Sequence, residues 1–187
     1  IETGKRLGSA PFLKSDVKAV QLLPDGRVLQ VSDKNALELW EPAEPRPTEP
    51  LASLPNDWML DQIALSPGGK FAAWRHGSKY RVEIVQVDKD LKSVALLSVK
   101  RVLPGELSVQ ASAFSPDGAQ LAVLVSNGSS TCVVGFHLVK GDRVWKSDVV
   151  PGPSSEQFAE LVWNPAGDLI LVSQSYLLDP KTGKSLG

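Results

Sequence analysis

The chain has 187 residues, 42% hydrophobic and 22% charged, with 20 Lys and Arg against 21 Asp and Glu and a formal net charge of -1. That is enough chain for one domain with a buried core, and the balanced charge gives no bulk attraction to a phosphate backbone, so no nucleic acid partner is expected. Cys132 is the only cysteine, which excludes an intramolecular disulfide and a cysteine-rich zinc site, and no apolar run approaches the roughly 18 residues of a membrane span.

In chain order, four short turns punctuate the sequence: Pro24-Asp25-Gly26, Pro67-Gly68-Gly69, Pro116-Asp117-Gly118 and Pro165-Ala166-Gly167. Their prolines are 43, 49 and 49 residues apart. A strand-like apolar run precedes each turn ("AVQLL", "QIALS", "ASAFS", "ELVWN") and another follows it ("RVLQVS", "KFAAWR", "QLAVLVS", "DLILVS"). Proline presets the first corner and glycine supplies positive φ, so each turn joins an antiparallel pair. A third strand follows in each unit ("ALELW", "YRVEIVQV", "CVVGFHL", "YLLD"), then a weaker fourth ("LASL", "VALLSVKRV", "RVWKSDVV"), cut short after Gly183 in the last unit. Helical periodicity is absent. Groups of four short strands at this period predict an all-β fold, a segment of four four-stranded antiparallel β-propeller blades, rather than a sandwich. The blades run approximately 14–56, 57–107, 108–155 and 156–187, with residues 1–13 as an outer strand.

Thr3-Gly4-Lys5 and Thr182-Gly183-Lys184 lie 179 residues apart, close to four repeat periods. The two ends therefore occupy the same phase of the repeat. The N-terminal strand is expected to complete the last blade as a clasp, removing a free sheet edge. The chain starts at Ile1 rather than Met, so an upstream segment, with any targeting signal it held, is expected to be missing.

On these residues the sequence resembles the WD40-repeat family. Residues 14–42, "KSDVKAVQLLPDGRVLQVSDKNALELWEP", follow its phrasing, with Trp40-Glu41 where the family has Trp-Asp; Val87-Asp88, Phe136-His137 and Leu178-Asp179 fall at matching places. The Gly-His dipeptide is absent, and Lys34 stands where an aspartate is expected, so the family's hydrogen-bonded tetrad cannot assemble. "FSPDG" phrasing also fits TolB-type propellers, the alternative subtype. Seven blades are usual in the family; four leave three assemblies open: a fragment, which ranks first, two copies self-associating into an eight-bladed ring, or a closed four-bladed ring.

No nucleophile elbow, zincin, Walker or dinucleotide motif is present. Cys132 and His137 sit five residues apart on one predicted strand and face opposite sides, so no catalytic residue, metal ligand or cofactor is expected. The turn "WRHGSKY" offers Arg75, His76 and Lys79 as a locally basic loop suited to an acidic peptide or an anion, or else a solvated bend. Trp58 in "NDWML" and Tyr176 are each either an interface anchor or a wedge between blades. Trp40, Trp74 and Trp163 read as core. "EPAEPRPTEP", residues 41–50, favours an extended polyproline loop, and "SNGSS", residues 126–130, a flexible turn holding a formal glycosylation sequon at Asn127.

What the resemblance implies is a non-catalytic, cytoplasmic scaffold presenting loops to a protein or peptide partner, with Trp58, Arg75, His76, Lys79 and Tyr176 as the partner-binding residues. The alternative is a ligand-binding, sensor or catalytic propeller domain of a larger protein. Channel-facing Lys18, Asp61, Gln110 and Glu160 do not repeat, which favours the scaffold over the alternative.

Overall fold

In a computed structural model, which describes residues 17–23, 25–32, 34, 36–40, 52–53, 59–75, 80–87, 92–148, 150–151, 159–173 and 176–186, every regular element is a β-strand. The first sheet comprises β1 (Val17–Leu22), β2 (Val28–Ser32), β3 (Ala36–Trp40) and β4 (Ala52–Ser53), and the second β5 (Met59–Leu65), β6 (Phe71–Arg75), β7 (Arg81–Gln86) and β8 (Ser93–Ser98). The third comprises β9 (Ser108–Phe114), β10 (Gln120–Ser126), β11 (Ser130–His137) and β12 (Arg143–Lys146), with β13 (Val150–Pro151) also on β11. The fourth holds β14 (Leu161–Trp163), β15 (Ile170–Val172) and β16 (Tyr176–Leu178). All pairings are antiparallel, and within each sheet every strand but β13 lies beside its predecessor.

The turns close as the Pro-x-Gly pattern requires. Gly26, Gly69, Gly118 and Gly167 donate their amides back to Leu23, Ser66, Ser115 and Asn164. Each has positive φ, from 66° to 87°, which L-residues rarely adopt. Side chains reinforce the corners: Asp25 accepts the Arg27 amide, Ser66 the Phe71 amide, Asp117 the Ala119 amide and Asn164 the Leu169 amide.

Alternation of side chains sets how the sheets pack. On β10, Leu121, Val123 and Val125 face one way and join Val82, Ile84 and Leu97 of the second sheet. Ala122 and Leu124 face the other way and join Leu161, Ile170 and Val172 of the fourth. On β6, Ala73 faces the third sheet, while Ala72 and Trp74 pack on Leu29, Val31 and Leu37 of the first. The two middle sheets are thus apolar on both faces, so a strand such as "QLAVLVS" reads as one continuous apolar run. First strands make the close approaches between sheets: β1 lies beside β5, β5 beside β9, and β9 beside β14. The sheets therefore converge on their first strands, the geometry of a propeller-like fan.

Three details differ from the sequence pattern. β8 stops at Ser98, so the predicted strand "VALLSVKRV" loses its last four residues to a turn. "RVWKSDVV" is split between β12 and β13, because the Ser147 hydroxyl accepts the Val133 amide and interrupts the run. After Gly183 the described residues form an isolated Leu178–Ser185 bridge and no fourth strand. Trp145 has a place cut for it: Gly135 of β11 leaves room for its indole, which a Cβ would overlap. The clasp of residues 1–13 and the proline-rich loop 41–50 lie outside the described residues.

Candidate functional site

Two clefts open at opposite ends of the sheets. At the turn end, between the first strands, a cavity of about 460 Å³ is walled by Ile63, Phe114 and Trp163, with the turn residues Pro67, Pro116 and Pro165 around it. Gln21 and Ser112 are polar, but its described lining holds no ionisable group. Such a wall binds apolar surface and cannot move a proton.

At the loop end, a cavity of about 400 Å³ lies between the second and third sheets, lined by Tyr80, Lys100, Arg101, Gly105, Glu106 and Leu107. Its size suits a small molecule. The connection from β8 to β9 builds most of it. Val99, Val102, Leu103 and Leu107 are buried in the core shared by these sheets and anchor the connection. Val99 donates to the Tyr80 carbonyl at 3.0 Å, and Val102 closes a tight turn onto the Val99 carbonyl at 3.3 Å. From the third sheet, the Asn127 side-chain amide donates to the Pro104 carbonyl at 2.9 Å. The turn that buries Val99 and Val102 leaves Lys100 and Arg101 exposed at its corner.

The cleft is cationic. The Lys100 ammonium lies 4.5 Å from the centroid of the Tyr80 ring, with the Arg81 guanidinium 5.9 Å from the same centroid. Arg101 and Glu106 form no ion pair among the described residues; the single such pair joins Arg27 and Asp25. Among the described lining residues, one carboxylate, two cations and an aromatic wall can together hold a small anion or polarise a carbonyl and accept a proton beside it.

Of the residues the sequence nominated, Arg75 ends β6 as a buried residue, in register with Val82 and Met59. Tyr176 is half-buried against the core between the third and fourth sheets. The two lie on different sheets, the second and the fourth. Trp58, His76 and Lys79 lie outside the described residues. Trp74 and Trp40 are core, and Trp163 is half-buried with its indole N–H donating to the Ala113 carbonyl at 3.1 Å. Cys132 is fully buried, and burial pushes its thiol up to about 11, which makes it a poor nucleophile at neutral pH. The "SNGSS" turn is tightly bonded rather than loose: the Asn127 carbonyl oxygen accepts from the Ser129 amide and hydroxyl and the Ser130 amide. Sequence reasoning missed the loop-end cleft. Its signal was "KRVLPGE", two cations and a carboxylate around a Pro-Gly turn.

No protein-family model and no curated protein matches the chain. Solved structures do. The chain is similar to a candidate 6-phosphogluconolactonase from Bacteroides uniformis at 16% identity and TM-score 0.58, over 91% of this chain and 53% of that one. It is similar to another from Bacteroides fragilis at 16% and 0.51, over 95% and 56%, and to a periplasmic gluconolactonase from Pseudomonas aeruginosa at 17% and 0.53, over 91% and 52%. The chain thus spans a little over half the length of these proteins. They correct several expectations. The WD40 assignment falls, because these neighbours carry lactonase names; the Pro-x-Gly turns and four-strand period that suggested WD40 repeats follow from hairpin geometry and do not single out that family. The non-catalytic protein-binding scaffold falls for the same reason, and with it the expectation of no enzymatic role. The cytoplasmic expectation falls with the periplasmic neighbour.

Proposed function

We propose that the chain is a segment of a β-propeller, its four sheets acting as successive blades, and that it serves a hydrolase that opens the cyclic ester of a sugar acid. The observation that carries this reading is the loop-end cleft, where Glu106 shares a cavity of about 400 Å³ with Lys100, Arg101 and Tyr80. The lactonase names of proteins with a similar fold supply the reaction class.

The cleft would work as follows. Glu106 takes a proton from water as the water oxygen attacks the lactone carbonyl carbon. Lys100 stabilises the oxyanion that forms. The ring C–O bond then breaks, the proton passes from Glu106 to the departing alkoxide, and a hydroxy acid leaves. Tyr80 offers a flat wall to the sugar ring.

The test is hydrolysis of gluconolactone, followed by acid release against the spontaneous rate, with Glu106→Gln beside the unaltered protein. The expected result is a rate well above background that falls about 100-fold in Glu106→Gln, the order of a general-base contribution. A rate equal to background, or equal rates for the two proteins, overturns the reading.

A further inference from the structure

We propose that Arg101 is the residue that recognises the charge of the ligand, gripping an oxyanion group carried on a small polyol, and that its backbone is held in a strained conformation for that purpose. The proposal rests on the loop-end cleft being the ligand site, and not on the hydrolysis assigned to it.

Arg101 occupies the third position of the turn closed by the Val102 amide on the Val99 carbonyl, with φ at 62°. That position in such a turn is where glycine is expected, because a Cβ in the left-handed region crowds the backbone. The chain places glycine at eight described left-handed positions, including Gly105 four residues on, with φ at 84°. Among described non-glycine residues, positive φ occurs at Arg101 and Ser173 alone. A long, charged side chain at a glycine position is a local conflict, and strain of this kind collects at binding sites.

The surroundings show what maintains it. Val99, Val102 and Leu103 are buried on either side, and Asn127 ties down Pro104. The loop is therefore fixed independently of Arg101, whose own side chain is exposed and lines the cleft. It forms no ion pair with a described residue. A guanidinium presents a planar fork of donors, which suits the two oxygens of a carboxylate or a phosphoryl group. Lys100, over the Tyr80 ring, adds charge beside it. The cavity volume admits one ring of sugar size.

The experiment measures stability and binding together, on the unaltered protein, Arg101→Gly and Arg101→Lys. Inorganic phosphate and gluconate are titrated separately, and Tm is recorded for each protein. Arg101→Gly relieves the strain and removes the grip: Tm rises by about 2 °C while affinity for the better probe falls about 10-fold or more. Arg101→Lys keeps the strain and the charge but loses the fork: Tm stays put and affinity falls a few-fold. Tighter phosphate binding identifies a phosphoryl group as the recognised anion; tighter gluconate binding identifies a carboxylate. The proposal is overturned if neither probe binds the unaltered protein, if Arg101→Gly binds as well as the parent, or if Arg101→Gly melts lower. Arginine-dependent binding without gluconolactone hydrolysis removes the catalytic reading and leaves this one. Hydrolysis with binding unaffected by Arg101→Gly does the reverse.

Discussion

At the turn end of the sheets, four corners repeat one solution: an i to i+3 backbone bond, a left-handed glycine and a polar side chain capping the following strand. At the loop end, the connection from β8 to β9 is built differently from those corners. It puts an arginine where the turns use glycine, and buried valines and a leucine hold it in place. The clefts follow the same division, apolar at the turn end and cationic at the loop end. Repetition serves closure of the sheets, and the departure from it supplies the charged lining of the loop-end cleft.

Three substitutions or titrations can break or sharpen that contrast. The largest effect belongs to Trp74→Ala, which empties the core between the first two sheets where the indole is fully buried. Urea unfolding should show a loss of about 3–5 kcal/mol. At low temperature, where the variant remains folded, the loop-end cleft should still bind its anion as the parent does. Lost binding in a folded variant would show that the two ends are not independent.

Asn127→Ala removes the donor to Pro104 and the acceptor of three turn bonds. About 1 kcal/mol of stability should go, with anion affinity lowered several-fold because the Arg101 turn loses its tether. Unchanged affinity would mean that the buried valines hold the connection alone.

The smallest effect is in alkaline titration. Cys132 has its thiol raised from 9.0 to about 11, chiefly by burial, with Lys146 and Arg143 pulling the other way. A group with a raised folded value stabilises below its unfolded value, and that contribution is lost as pH climbs from about 9 through about 11. Cys132→Ala should flatten the fall in Tm over that window. An equally steep fall would assign it to lysines and tyrosines instead.

The regular half of the molecule was legible in the sequence. Pro-x-Gly turns recurring 43 to 49 residues apart, each between apolar runs, gave the hairpins and their order, since one residue type at one corner suffices to set the chain direction. The cleft was hidden by the same signal. Val99 and Val102 extend the apolar pattern of β8, and periodicity cannot distinguish a strand that continues from one that turns and buries the same valines. Trp145 escaped for a related reason: its site depends on Gly135, ten residues away on a neighbouring strand. The family assignment went wrong because hairpin phrasing is common property of propellers, whereas the lactonase likeness resides in the path of the backbone at 16–17% identity.

Asn127 and Gly128 also bear on how this protein would age. An asparagine followed by glycine is open to deamidation, in which the glycine amide nitrogen attacks the side-chain carbonyl carbon. Here that nitrogen donates to the Ser126 hydroxyl at 3.0 Å, and the asparagine carbonyl is engaged by the two serines that follow. While the turn is intact the attack is opposed. Once it opens, the product is a carboxylate that can no longer donate to Pro104 and that brings negative charge to a loop tethered to the cationic cleft. The folded turn thus acts as a chemical preservative for the neighbouring site.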